Sequence, residues 1–495
     1  MHIAGDLLHI AKGEVLDDSW SRRVYSADAS NYEVEPRVVV CPIDEDDVQQ
    51  MCQYSFAKKI PITARGAGTG LLGQSLSEGM ILDFTKHMDK IIEIGEDYVI
   101  VQPGIVKGFL DKELRKRNKF LPPDPASSNY CTVGGMIADN SSGIHSLGYG
   151  STIDYLDEIK MVYADGKIGF ASTAKYDSRM KELCKLLSSY LHEIRISYPD
   201  VSKNSCGYRL DAVVRDKFNP HKVFAASEGT LGVLTSAKLE ILDMPTHRCM
   251  MVLAFEDLIG ALLAVPRILK FSPVAVEMLD HTAIVSDRSK ASDAGCLLFI
   301  EFAGTRRRSK LESRMTACRQ MLVGKCSVLE YASDEESMTK IWGARRSALN
   351  SIMKLTVGSR KPLGLIEDTV VPPDILVNHA TNLLQIYREN RLDYVLYGHV
   401  GNGNIHTRPL IDTASAKQIE LMRNIASKVF GQVINGGGTI SGEHGDGLTR
   451  TCYIEMMYGK RMSSLFSMVK KLFDPSFTMN PGKKVPVQLF MNGVG

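Results

Sequence analysis

The chain has 495 residues, 44% of them hydrophobic and 23% charged, with a formal net charge of +2. This length is more than one hydrophobic core can serve, so two or more domains are expected, and the near-neutral balance gives no reason to expect nucleic acid or an anionic membrane as partner. Ten cysteines lie singly along the chain with no CxxC pair, which excludes an iron–sulfur or structural zinc framework and suits a reducing compartment.

The first turns carry acidic groups and no small-residue cleavage site, and no apolar run reaches the roughly 20 residues that span a bilayer. The expectation is a cytoplasmic protein, held at most at a membrane surface. Residues 1–32 read as a short helix and an arm. VEPRVVVCPIDEDDVQQMCQYSFAKKIPITARG then reads strand, helix, strand, with Asp44 as N-cap and Asp47 at capping-box spacing. Val48, Met51, Cys52 and Ser55–Phe56 keep helical spacing, which is core packing and nothing more.

The strand around Ile60–Ala64 runs into RGAGTGLLGQS. Gly68, Gly70 and Gly73 match GxGxxG, but a Rossmann fingerprint needs a helix to open there, and SLSEGMILDF supplies a turn and a strand instead. The nicotinamide reading is rejected; the amides of the loop still suit a pyrophosphate. YVIVQPGI is a strand, and GFLDKELRKRNKFL a basic amphipathic helix with a solvated charged face. PPDPASSNYCTVGGMIADNSSG reads as a rigid loop whose small residues Gly135, Ala138, Ser142 and Gly143 let a planar ring approach backbone. Residues 148–172 read as two strands joined at Asp165-Gly166. A basic helical region, 174–196, leads to the loop NSCGYRLD, and VFAASEGTLGVLTSAKLEIL places Gly229 and Gly232 in a tight turn between strands.

Segment 246–340 is expected to supply strands and helices of a substrate domain. The stretch richest in chemistry is YGHVGNGNIH, 397–406. LDYVL before it suits a buried strand, TRPL after it a return strand, and Asn402-Gly403 is a hairpin signal. If the arms pair, His399 and His406 fold back towards each other. GGGTISGEHGDG, 436–447, adds Glu443 and His444. Two neutral imidazoles and one carboxylate would hold a divalent metal, zinc foremost, and leave positions open, the pattern of a working site rather than a structural one. The bland alternative is that these histidines cap turns or fill polar corners; it serves either stretch alone, and serves both together less well.

Three stretches, ARGAGTG at 64–70, PPDPASSNYCTVGGMIADNSSG at 122–143 and SEGTLGVLT at 227–235, together resemble the FAD-binding domain of flavoproteins of the vanillyl-alcohol oxidase type. The second half resembles the FAD-linked oxidase C-terminal domain of the glycolate oxidase, D-lactate dehydrogenase and D-2-hydroxyglutarate dehydrogenase group. The resemblance covers about 33–490 and implies an α+β protein. After an arm, 1–32, comes a two-subdomain FAD-binding domain of the PCMH type, 33–245. An α+β substrate- and metal-binding cap with an antiparallel sheet follows over 246–450, and a segment, 451–495, returns to the first domain.

By the same resemblance, Arg65, Gly66, Ala67, Gly68, Thr69 and Gly70, with Gln74 and Ser75, cradle the FAD pyrophosphate. Pro125, Thr132, Gly134, Gly135, Ala138 and Ser142 line the flavin and its ribityl chain. Glu228, Gly232 and Val233 touch the adenine and ribose side, and Asn480, Pro481 and Lys483 return against the flavin. No histidine lies in 64–75, so a non-covalent FAD is expected. His399, His406 and Glu443 map onto the metal ligands, His444 onto the catalytic base, and Arg345, three residues after Trp342, onto the arginine that binds the substrate carboxylate. On composition alone Arg345 is an ordinary surface arginine of a helix, with Arg346 a lesser candidate. The sequence also departs from the pattern. Asn402 replaces an aspartate, the family's substrate-contacting lysine falls near Ile366, where this chain has none, and Arg408 replaces the asparagine of the hydroxyglutarate enzymes, as in the branch that is fused to, or works with, iron–sulfur modules.

Oxidising a 2-hydroxy acid requires the hydroxyl proton to leave, the C2 hydride to reach flavin N5, and the carboxylate to be held. A divalent cation lowers the pKa of bound water by roughly 9 units, and an alcohol oxygen responds similarly. His444 can take the proton, and Arg345 with Arg408 can fork the carboxylate. The expectation is an FAD-dependent dehydrogenase of a D-2-hydroxy acid: D-lactate, glycolate or D-2-hydroxyglutarate. Its electrons would pass to a separate acceptor, whether a quinone, an electron-transfer protein or an iron–sulfur subunit, and a homodimer is one assembly it allows. Two other classes compete. A non-redox alkyltransferase of the same fold would not need His399, His406 and Glu443, and a non-catalytic flavin subunit of a multi-subunit glycolate oxidase would not need an intact base.

Overall fold

Val38–Cys41 and Met80–Asp83 are short runs buried along their whole length, as parallel strands covered on both faces are. In the computed structural model, which describes residues 3–285, 294–305, 308–352 and 355–486, they lie side by side in parallel. The last stretch of the expected C-terminal segment, 487–495, lies outside the described residues. Ile62–Arg65 pairs in parallel with Met80–Asp83, and Glu14–Leu16 closes the far edge in antiparallel fashion. The arm is thus more ordered than expected: it holds the helix Ile3–Ile10, that edge strand and the helix Ser19–Tyr25.

The helix Glu45–Lys58 starts where Asp44 accepts from the Asp47 amide and stops at Lys59, whose φ of 54° breaks the helical run. Its Val48, Met51 and Cys52 pack under the parallel sheet beside Met479. Each such aliphatic side chain contributes roughly 1.5–3 kcal/mol by leaving water.

A second, antiparallel sheet has five strands in the order Ile91–Ile94, Tyr98–Val101, Val233–Glu240, Leu156–Val162, Ile168–Ser172. Asp165-Gly166 does join the last two, with Gly166 at φ +79°. Two expectations change here. Gly229 and Gly232 follow a 3-10 turn, Pro220–Phe224, and not a strand. The stretch 122–143 is not all loop, because the Thr132 hydroxyl accepts from the Gly135 amide and opens the helix Val133–Asp139. Gly134 serves that packing, since a Cβ there would stand 2.6 Å from Pro103 Cβ.

The third sheet has eight strands. Its main path runs Ser327–Ala332, His247–Phe255, Cys296–Gly304, Ala275–Asp280, Tyr394–Gly398, Asn404–Asp412, Arg360–Pro362, and Thr369–Val370 pairs onto Asn404–Asp412. Its pairings are antiparallel, so the architecture is α+β. The hairpin expected around Asn402-Gly403 forms with Tyr397 opposite His406. It is not a two-residue turn. A 3-10 turn, Val400–Asn402, precedes Gly403 at φ +71°, and a Cβ on Gly403 would lie 1.8 Å from the Val371 carbonyl oxygen. After the helix Ile454–Phe473 the chain returns to the first sheet, where Met479 bridges in parallel to Ile62. Among the described residues no helix is long and apolar enough to cross a membrane.

Candidate active site

A cleft of about 490 Å3 runs between the glycine loop that follows Ile62–Arg65 and the face of the eight-stranded sheet. Arg65 to Gly70, Gln74, Ser75, Pro125, Thr132, Gly134, Gly135, Ala138, Ser142, Glu228 and Gly232 line one end and the middle. Arg345, His399, His406, Arg408, Glu443 and His444 line the other end. Residues 66–71 line it too, and their backbone amides donate to no acceptor among the described residues. A run of amides turned to one space is a phosphate cradle, so the loop fits the pyrophosphate of a dinucleotide. No helix opens between Ile62–Arg65 and Met80–Asp83, so the loop lacks what a Rossmann fingerprint needs.

Four residues assigned to the cofactor, Val233, Asn480, Pro481 and Lys483, do not line the cleft. Val233 starts a central strand and packs in the core below the parallel sheet; its neighbours Gly232 and Leu234 reach the cleft instead. Asn480 stands behind the loop, donating to the carbonyls of Gln74 at 2.9 Å and Glu228 at 2.6 Å. Lys483 does the same at the Leu76 carbonyl, 2.8 Å away. These residues brace the cradle from the rear. Glu228 lines the cleft, yet its carboxylate accepts from the Asp446 amide at 2.6 Å and the Gly447 amide at 3.0 Å. It ties the glycine-rich 436–447 stretch to the cofactor side.

At the far end the two glycine-rich turns meet. Glu443 Oε1 lies 3.0 Å from His399 Nε2, 3.3 Å from His406 Nε2 and 3.6 Å from His444 Nε2. The imidazoles of His399 and His406 meet edge to face with centroids 5.1 Å apart. Behind them stand carboxylates: Glu277 Oε1 is 2.6 Å from His399 Nδ1, and Glu367 Oε1 is 2.6 Å from His444 Nδ1. Holding an imidazole by Nδ1 aims Nε2 into the site, the usual support for a metal ligand or a base. His406 Nδ1 is buried without a hydrogen bond.

The cluster fits a divalent cation. Metal–nitrogen bonds of 2.0–2.1 Å in a tetrahedral set leave ligand atoms about 3.3 Å apart, close to the spacing seen around Glu443 Oε1. Ligand atoms of Asp368, His406, Glu443 and His444 also lie within 4.8 Å of one another. Asp368 is nonetheless the poorer ligand, because its Oδ2 already accepts from the amides of Glu443 at 3.0 Å and His444 at 2.9 Å. It shapes the turn that presents both side chains, from a backbone φ of 69°. Glu443 Oε1 has the Nε2 atoms of His399, His406 and His444 around it, while His399 lies outside the group whose ligand atoms are all within 4.8 Å of one another.

Burial works against the charged form of every group here, and neighbours decide the outcome. For Glu443 the Lys203 ammonium and His399 outweigh burial and hold the carboxyl well below its usual range. For His406 burial prevails and lowers the pKa. For His444 the carboxylates of Glu367 and Asp368 overcome burial and raise it to about 9. These carboxylates by themselves keep His444 protonated at neutral pH, so it can take a proton only where the charge of a cation bound beside it opposes them.

Arg345 is not a surface residue. It is 1% exposed, and Nη2 contacts Glu277 Oε2 at 2.5 Å. Met338, Ile341, Trp342 and Arg345 share the face of the helix Glu335–Ile352 that lies on the sheet, while Arg346 is exposed. Arg408, on Asn404–Asp412, points its Nη2 at Glu367 Oε2, 3.5 Å away. Two further buried pairs complete the surround: Lys203 with Glu443 at 2.9 Å and Arg450 with Asp368 at 3.4 Å. Sequence reasoning missed Lys203, Glu277, Glu367, Asp368 and Arg450. Glu277 had a signal, a lone charge inside the apolar strand AVEML; the others become recognisable only once the turns are brought together.

Residues 36–171 match the family profile "FAD binding domain", and 244–484 match "FAD linked oxidases, C-terminal domain". The chain is 30% identical over 494 residues to the glycolate oxidase subunit GlcD of Bacillus subtilis, covering 96% of this chain and 95% of that one. It is 28% identical over 466 residues to the D-lactate dehydrogenase of Archaeoglobus fulgidus, covering 90% and 91%. Against the D-2-hydroxyglutarate dehydrogenase of Haemophilus influenzae identity is 28% over 518 residues, and the match spans 95% of this chain but half of that protein's length. Among solved structures, 4-ethylphenol oxidase from Gulosibacter chungangensis aligns with a TM-score of 0.73 at 14% identity, covering 99% and 98% of the two chains. An alkyldihydroxyacetonephosphate synthase aligns at 0.67 and 17%, covering 97% and 86%. At such identities these two likenesses concern the fold alone.

Proposed function

The chain belongs to the FAD-linked oxidase family, and on that premise we propose that it is a flavoenzyme that oxidises a D-2-hydroxy acid to the 2-oxo acid, with a divalent cation at the imidazole–carboxylate cluster. A bound flavin would supply a hydride acceptor, and a bound cation would supply Lewis acidity toward the hydroxyl oxygen. The chain's own groups do the rest. The amides of residues 66–71 hold the pyrophosphate. His399, His406 and Glu443 hold the cation. His444 accepts the hydroxyl proton at Nε2, its Nδ1 kept by Glu367. The Arg345 guanidinium, set by Glu277, holds the substrate carboxylate beside the ring.

The observation that carries this reading is the convergence of three Nε2 atoms on one oxygen of Glu443, in the cleft that also contains the phosphate cradle. D-Lactate, glycolate and D-2-hydroxyglutarate are the substrates to try first, given the relatives' names. The test is anaerobic: the yellow protein is mixed with each acid and its absorbance near 450 nm followed. Bleaching by at least one D-2-hydroxy acid, slowed by a chelator, is expected. A flavin that stays oxidised with all of them overturns the proposal. Reduced flavin needs an outlet, and we place a separate electron acceptor outside this chain.

A further inference from the structure

Lys203 has no part in the chemistry above. It lies in the SKNSCGY stretch, on the side of the molecule that carries the glycine loop, and its side chain is 0% exposed. Its ammonium donates to Glu443 Oε2 at 2.9 Å and to the Gly143 carbonyl at 3.4 Å. The Ser142 hydroxyl donates to the same carboxylate oxygen at 2.7 Å. One oxygen of Glu443 therefore faces the imidazoles, and the other is held by two residues from the cofactor side of the cleft. Fixing one oxygen of a carboxylate fixes the direction of the other. Ser142 and Gly143 are also cleft wall. A ring seated against them orders the segment whose hydroxyl and carbonyl secure Glu443 and its partner Lys203.

We propose that Ser142 and Lys203 are positioning residues that couple the two sites: FAD in the cleft tightens the hold of the His399–His406–Glu443 cluster on a divalent cation, and the cation tightens FAD in return. The coupling rests on the proposed reading that the cleft takes FAD and the cluster a cation. Linkage makes the two effects equal, since each is the same interaction free energy seen from opposite ends.

The experiment uses the full chain. Zn2+ affinity is measured against a chromophoric chelator, with FAD bound and with FAD stripped, and FAD affinity is measured with and without Zn2+. The two factors should agree, at about tenfold. In Lys203→Met both should fall to about one, and in Ser142→Ala to below about threefold. General destabilisation weakens both affinities but leaves the factor intact, so a variant that keeps the wild-type factor overturns the proposal. So does a wild type whose Zn2+ affinity is the same with and without FAD. If Lys203→Met does not fold, Ser142→Ala decides alone. Absence of Zn2+ binding in both states overturns the cation reading itself and the coupling with it, an outcome distinct from binding without coupling.

Discussion

Raising the pH should loosen a specific joint between the flavin side and the large sheet. His145 Nδ1 lies 2.6 Å from Asp124 Oδ2, and Nε2 lies 3.1 Å from Glu301 Oε2. Asp124 belongs to the proline-rich stretch beside the cleft. Glu301 belongs to Cys296–Gly304 and also accepts from Trp342 Nε1 at 2.8 Å, one turn ahead of Arg345. Burial lowers the His145 pKa, but the two carboxylates dominate and raise it from 6.5 to about 10. A shift of that size corresponds to roughly 3–5 kcal/mol favouring the folded state when His145 is charged. The folded pKa is the higher one, so this stabilisation is complete below about pH 6.5 and is lost as pH rises through about 10. His145→Gln keeps a polar side chain without the charge. Thermal unfolding of wild type and variant at about pH 6 should differ by roughly 3–5 °C, and the gap should close by about pH 10. A gap that does not change between those two conditions refutes the assignment of a charged imidazole to this joint.

Three further perturbations test the site. Arg345→Met should raise the KM for the hydroxy acid by about 100-fold or more, the loss of a charge-assisted fork, with FAD content unchanged; an unaltered KM removes Arg345 from substrate binding. His444→Ala should slow anaerobic flavin reduction by roughly 10²–10⁴ while the oxidised spectrum stays normal, and a rate near wild type removes it as the base. Gly66→Ala puts a Cβ 2.1 Å from Thr132 Oγ1, the hydroxyl that caps Val133–Asp139. That variant should purify largely without FAD, and full flavin occupancy contradicts the account of the cradle.

What the sequence showed best was whatever repeats locally. The Asp44 cap, the helix after it, the Asp165-Gly166 turn and the hairpin at 397–406 are written in neighbouring residues, and so is the absence of a helix after GAGTG. What it showed poorly was set by packing between distant segments. Arg345 reads as surface because a helix that buries its guanidinium against a glutamate of a strand has no local mark. Glu367 and Asp368 look like an acidic turn until His444 and the amide of Glu443 are laid against them. Val233 and Asn480 fail for a related reason. Each is near the cleft along the chain, but strand alternation turns Val233 into the core, and Asn480 spends its amide on two carbonyls behind the loop.

The path of the chain has a mechanical corollary. The polypeptide leaves the first two sheets after Leu242–Asp243, builds the eight-stranded sheet, and comes back through Ile454–Phe473 to lay Met479 beside Ile62. Two covalent tethers therefore anchor the sheet-bearing half. A single proteolytic nick in either tether should leave the halves joined and the colour of the cofactor unchanged.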